Sequence, residues 1–152
     1  MKIIKYDDKV ETFNDKGELH SFDDKPAIES NNGGKVWCKE GKYHRLDGPA
    51  IEYGNGNKRW FKEGEHHRLD GPAVELSNGE RYWYKEGLLH RLDGPAEYYN
   101  GEKYWFKEGK RHRSDGPAII FNKTKFWYYE GKQINCNSTE EFLKIINLKA
   151  FW

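Results

Sequence analysis

Residues 60–79 read Trp60-Phe-Lys-Glu-Gly-Glu-His-His-Arg-Leu-Asp-Gly-Pro-Ala-Val-Glu-Leu-Ser-Asn-Gly79, and residues 83–101 repeat them as WYKEGLLHRLDGPAEYYNG. Five of the six tryptophans mark this period: Trp37, Trp60, Trp83, Trp105 and Trp127 stand 22 or 23 residues apart. A fixed period of that length identifies a repeat protein, in which one supersecondary unit is stacked on copies of itself.

Each copy carries three glycine marks. Asn-Gly recurs at Asn32-Gly33, Asn55-Gly56, Asn78-Gly79 and Asn100-Gly101, the strongest short hairpin signal when it lies between strand-like runs. Glu-Gly recurs at Gly41, Gly64, Gly87, Gly109 and Gly131, where glycine can take a positive φ in a second turn. Asp-Gly-Pro is the third mark, and each of the five prolines precedes an alanine, as suits the first residue of a strand. Two strands per repeat follow, expected at Ala73–Ser77 and Glu80–Lys85. Later copies are one residue shorter between Ala and Asn, so the deletion should fall in the turn and leave the register intact. If Ala lies opposite the residue after Trp, then Trp83, Val74 and Leu76 share one face. Tyr82, Tyr84 and Ala73 then share the other, and the Trp face is expected to be the main core.

The expected architecture is all-β: an elongated, twisted antiparallel sheet of consecutive hairpins in one domain, 1–152. Residues 11–36 form a degenerate first copy in which SFDDKPA (Ser21–Ala27) stands for HRLDGPA, and 37–131 hold the regular copies. Ser138-Thr-Glu-Glu141 is a capping box that opens a helix over 138–149, with Phe142, Ile145 and Ile146 as its apolar stripe. Such a helix protects the last strand from edge-to-edge association. Cys38 and Cys136 lie about four repeats apart, roughly 40 Å at about 4.8 Å per strand, so both should be free thiols.

The 26 basic and 25 acidic side chains nearly cancel, which argues against bulk attraction to polyanions or membranes. Only 36% of residues are apolar but 16% are aromatic, so buried surface has to come from rings. MKIIKYDDKV contains no apolar run of signal-peptide length and no stretch could span a bilayer, so the cytoplasm is the expected compartment, without membrane insertion.

Trp-x-Lys-Glu-Gly-x-x-His-Arg at this period resembles the MORN repeat, in the variant form of bacterial, phage and large-virus proteins. The resemblance spans roughly residues 11–131. It implies hairpins laid side by side as one sheet, and a non-catalytic module that binds proteins, itself or anionic lipids.

Three side-chain patterns invite a functional reading. The His-Arg-x-Asp column (His44/Asp47, His67/Asp70, His90/Asp93, His112/Asp115) has the residue types of a metal pair or a general base. Equivalent atoms in adjacent repeats should be about 10 Å apart, too far for one ion, and an active site needs one asymmetric constellation. The column is expected to be structural, with Asp bonding its own turn and pairing with the Arg two residues earlier, and no catalytic residue, metal or cofactor is expected. Secondly, cations flank Trp at i−2 and i+2, giving a ladder of Lys58, Trp60, Lys62, Arg81, Trp83, Lys85, Lys103, Trp105 and Lys107. Such a ladder fits single-stranded nucleic acid, through stacking and phosphate contacts. Aromatic cages for a small ligand or glycan are a further reading. Thirdly, the residues before His-Arg vary most among the copies. Tyr43, Glu65, His66, Leu88, Leu89, Lys110 and Arg111 form a candidate partner-binding rim, with the Leu88-Leu89 pair as its apolar anchor. Phe151-Trp152 either docks on the last hairpin or meets a partner.

The functional expectation is a non-enzymatic scaffold that binds a protein, an adaptor or inhibitor of bacterial or phage type. Polyanion binding is the alternative, and the composition leaves homo-oligomers open.

Overall fold

The computed structural model describes residues 1–149, which places Phe151 and Trp152 outside the described residues. Thirteen strands form one antiparallel sheet in which the hairpins follow one another in chain order. Beside it runs a row of four two-stranded hairpins, one for each regular repeat. Both arise from one chain path. In the second repeat Lys58–Arg59 lies in the main sheet, Trp60 marks a break, and Phe61–Lys62 pairs with Glu65–His66 in the hairpin row. The stretch expected as one strand, Glu80–Lys85, is divided in the same way into Arg81–Tyr82 and Tyr84–Lys85. The tryptophan bridges the two parts: Trp60 donates its N–H to the Ala73 carbonyl and accepts from the N–H of His67.

The register differs by one residue from the expectation. Val74 pairs with Tyr82 on one side and with Arg59 on the other. This sets Ala73 opposite Trp83 rather than Tyr84, and Val74 shares a face with Tyr82, because directly paired residues point the same way. The shorter copies keep this register, Glu97 pairing with Tyr104, because Asn100 and Gly101 both take positive φ and absorb the deletion in a tight turn.

One row of side chains therefore crosses a single face of the main sheet in unbroken pairing order. It runs Ile28, Val36, Ile51, Arg59, Val74, Tyr82, Glu97, Tyr104, Ile119, Phe126. The residue after each tryptophan joins this face: Phe61 is buried against Ile51 and Ala50, with Val36 packed beside them. The core face is thus the aliphatic and tyrosine face. The expected Trp core holds only at the ends of the stack, where Trp37 and Trp127 are buried; in the middle copies the other face is the core, because aromatic residues occupy both parities of this strand and only the register decides between them. The alanines of the five copies, Ala27, Ala50, Ala73, Ala96 and Ala118, are fully buried at the bend.

At the C-terminal end the helix Thr139–Lys149 begins on the predicted box: Glu141 donates its N–H to Ser138 Oγ at 3.1 Å, and its carboxylate accepts from the N–H of Asn137. Phe142 is fully buried against Trp127 and Ile134, with Ile145 and Ile146 alongside. The degenerate first copy keeps the stacking bonds. His20 Nδ1 accepts the Glu40 N–H and the Ser21 N–H donates to the Cys38 carbonyl, as His44 and Arg45 do with Glu63 and Phe61 in the next copy. Both cysteines are free.

Candidate functional site

Opposite the core face, each regular tryptophan is covered by the arginine eight residues later. Arg45, Arg68, Arg91 and Arg113 place Cζ at 3.9, 4.1, 4.1 and 4.2 Å from the rings of Trp37, Trp60, Trp83 and Trp105. The same guanidinium is fixed at its edges. Arg68 donates through Nε to Asp70 at 2.9 Å, and through Nη1 to the Pro72 carbonyl and to Glu75 at 2.8 Å. The Arg–Asp pairing recurs at 3.3, 2.8 and 2.6 Å in the other copies, and Arg68 holds the Asp70 carboxyl below its ordinary range. The glycine of Asp-Gly-Pro is required for clearance, since a Cβ on Gly71 would lie 2.8 Å from Arg68 Cζ.

The histidines join neighbouring repeats. Nδ1 of His44, His67, His90 and His112 accepts the backbone N–H of Glu63, Glu86, Glu108 and Glu130 at 3.1–3.2 Å. Each of those glutamates has a φ between 49° and 52°, the left-handed region, so the bond steadies a strained turn. The Nδ1 lone pair is thereby used in the stacking of the repeats. No group of three or more potential metal ligands is present among the described residues.

These contacts change the reading of the Trp/Lys ladder. One face of each ring is occupied by arginine, which obstructs the stacking of a base or a ligand cation there. The flanking cations also differ in company. Lys58 lies between Glu52 and Glu75, whereas Lys103 lies between Tyr98 and Ile120, and Arg81 pairs with Glu75 and Tyr98. Lys62, Lys85 and Lys107 are exposed and stand opposite Glu65, Leu88 and Lys110.

The rim residues do not form one surface. Tyr43, His66, Leu89 and Arg111 pair with Cys38, Phe61, Tyr84 and Phe106 and so share the core face. Glu65, Leu88 and Lys110 point to the tryptophan side. The anchor assigned to Leu88-Leu89 is therefore divided between two faces, as alternation in a two-residue strand requires. His66 sits between Phe61 and Tyr84 with ring centroids 4.1 and 5.0 Å away, and burial together with Arg59 lowers its pKa.

A column outside the rim is the more exposed feature. Leu46, Leu69 and Leu92, the variable position of His-Arg-x-Asp, are 77, 78 and 77% exposed. Between successive turns lie three similar grooves of about 570, 520 and 600 Å³. The first is walled by Leu46, Pro49 and Leu69 and floored by Trp60, Lys62 and His67. The second repeats this around Trp83 and Lys85, and the third around Trp105 and Lys107, with Ser114 in place of a fourth leucine. Identity between copies hides this column in the sequence, because what recurs is readily ascribed to stacking. The available signal was chemical: an aliphatic residue inside an otherwise polar Arg-x-Asp-Gly turn.

Comparison with family models, curated proteins and solved structures finds no match to this chain. Among the described residues, no helix is long and apolar enough to cross a membrane.

Proposed function

We propose that the protein is a non-catalytic, MORN-like repeat scaffold whose leucine ladder binds a protein partner. The observation that supports this is the exposure of Leu46, Leu69 and Leu92, each beside an equivalent groove. A side chain more than three-quarters exposed contributes little to stacking, so packing does not account for three leucines in register. Contiguous exposed apolar surface rimmed by polar groups is characteristic of interaction sites. Successive grooves are two strands apart, about 10 Å. The partner is therefore a segment in the polyproline II conformation, whose three-residue turn advances ~9 Å and brings apolar side chains at every third position back to one face. Lys62, Lys85 and Lys107 on the groove floors and Asp70 and Asp93 on the walls supply its polar rim.

The test is a photo-crosslinking residue at position 69 in the native cells, with the same probe at Asn55 in the distant hairpin turn as control. A discrete adduct from position 69 that disappears when Leu46 and Leu92 are changed to Asp supports the ladder. Equal adducts from both positions, or an adduct indifferent to those changes, overturns it.

A further inference from the structure

The four Asn-Gly dipeptides, Asn32-Gly33, Asn55-Gly56, Asn78-Gly79 and Asn100-Gly101, are all exposed, but they are not equally held. Three of the turns engage both halves of the dipeptide in hydrogen bonds. Gly33, Gly56 and Gly79 donate their N–H to the carbonyls of Ser30, Tyr53 and Leu76 at 2.9, 2.9 and 3.0 Å. Asn32, Asn55 and Asn78 accept through Oδ1 from the N–H of Gly34, Asn57 and Glu80 at 3.0, 3.1 and 3.1 Å.

The fourth turn is built differently. The residue deleted between Ala96 and Asn100 leaves a two-residue loop, closed by the pair Tyr99 and Glu102. Asn100 and Gly101 take φ of 49° and 80°, whereas in the other three dipeptides only the glycine has a positive φ. Among the described residues, neither the Gly101 N–H nor the Asn100 side chain makes a hydrogen bond.

We infer that Asn100 is a site of self-modification, losing its side-chain amide to the backbone of its own turn in preference to the other three asparagines. The Gly101 nitrogen gives its proton to solvent hydroxide and attacks Asn100 Cγ. A C–N bond to the backbone forms, the C–N bond to the side-chain nitrogen breaks, and that nitrogen leaves as ammonia. Water then opens the resulting succinimide. Opening at the side-chain carbonyl leaves aspartate, and opening at the main-chain carbonyl leaves isoaspartate, with the chain running through the former side chain. One water enters and one ammonia departs, without oxidant or reductant.

The longer turns resist this step at both reacting groups. An N–H held by a carbonyl is harder to ionise, and a carboxamide anchored through Oδ1 is not free to turn its carbon toward the nitrogen. In the short turn both groups are open to water. Isoaspartate adds a backbone atom to a loop of two residues, so the pairing of Tyr99 with Glu102 has to open. This turn and the Leu92 turn lie at opposite ends of the strand Glu97–Tyr99, so the inference is independent of the leucine-ladder reading.

Peptide mapping by mass spectrometry tests it on the full chain, stored folded at mildly alkaline pH, with circular dichroism as the control for folding. Trypsin places the four dipeptides on separate peptides, and each conversion reads as a gain of about 1 Da. Asn100 is expected to convert at least about tenfold faster than Asn32, Asn55 or Asn78, since each of those has first to give up two hydrogen bonds. In urea the four rates should converge, because the unfolded chain holds none of these bonds. A serine inserted between Tyr99 and Asn100 restores the spacing of Leu76-Ser77-Asn78 and should slow Asn100 to the rate of Asn78. Gly101→Lys, which copies the equally short turn Asn122-Lys123, should slow it as well, because the side chain crowds the attacking nitrogen. Equal rates at Asn100 and Asn78 in the folded wild type overturn the inference. So does a preference that persists in urea, which would belong to the flanking sequence, or an unchanged Asn100 rate in either folded variant. If the variants do not fold, the comparison of the four sites in folded and unfolded wild type decides.

Discussion

The guanidinium of Arg68 lies 4.1 Å over the indole of Trp60 while its Nε donates to Asp70 and its Nη1 to the Pro72 carbonyl. Four residue types that recur in each regular copy, Trp, Arg, Asp and Pro, thus meet in one contact, and Gly71 leaves the space for it. The lysine-like role of a mobile surface cation is not available to this arginine.

Replacing Arg68 with Lys removes the planar fork and the stacked geometry together. The expected loss is about 1–2 kcal/mol, in the range of a partly buried cation–π contact with charged hydrogen bonds. Gly71→Ala should destabilise as well, because its Cβ displaces the same guanidinium. Urea unfolding of both variants checks this, and a midpoint unchanged from wild type would show that the clamp is ornamental.

Glu63, Glu86 and Glu108 occupy the first position of two-residue turns with φ near 50°, where asparagine is favoured. Glu86→Asn keeps the N–H that His67 Nδ1 accepts. Each such change is expected to stabilise by about 0.5 kcal/mol, part of the cost of a left-handed residue. The triple variant should melt several degrees higher by about the sum of these small gains.

Acid should weaken the stack. Burial and Lys107 lower the His112 pKa below its ordinary 6.5, against the smaller raising effect of Glu130, and burial with Arg59 lowers that of His66. Between the folded and unfolded values the unfolded chain binds more protons. The stabilisation is therefore complete above the unfolded value and is lost as pH falls from there through the folded value. Urea midpoints measured from about pH 7.5 down to about pH 5 should decline, and His66→Leu, which copies Leu89 in the next repeat, should flatten the slope.

Leu69→Asp and Leu92→Asp should leave stability within about 0.5 kcal/mol of wild type, as expected for exposed positions away from the core. Their cost should fall on partner capture alone. A large shift of the unfolding midpoint would instead assign the leucines to the fold.

Single-stranded oligonucleotide should leave the tryptophan fluorescence nearly unchanged, because arginine already occupies one ring face of Trp60, Trp83 and Trp105. Strong quenching that disappears with rising salt would restore the polyanion reading, and Lys103→Glu would then locate it.

The period, the three glycine marks, the hairpin series, the deletion absorbed at Asn100-Gly101 and the helix opened at Ser138 were all determined by the sequence alone, because each rests on local chemistry. Turn residues and caps act within a few positions of themselves. The register was a tertiary outcome. Tyr82, Trp83 and Tyr84 are aromatic at three consecutive positions, so alternation carries no information there, and a slip of one residue exchanges the faces. Only the pairing of Val74 with Tyr82 decides that Phe61 is buried and that Trp60 needs an arginine as cover. The exposure of Leu46, Leu69 and Leu92 is likewise invisible in one dimension. Whether a recurring residue is packed or free depends on what the neighbouring repeat places against it, and at these three positions the neighbour places almost nothing.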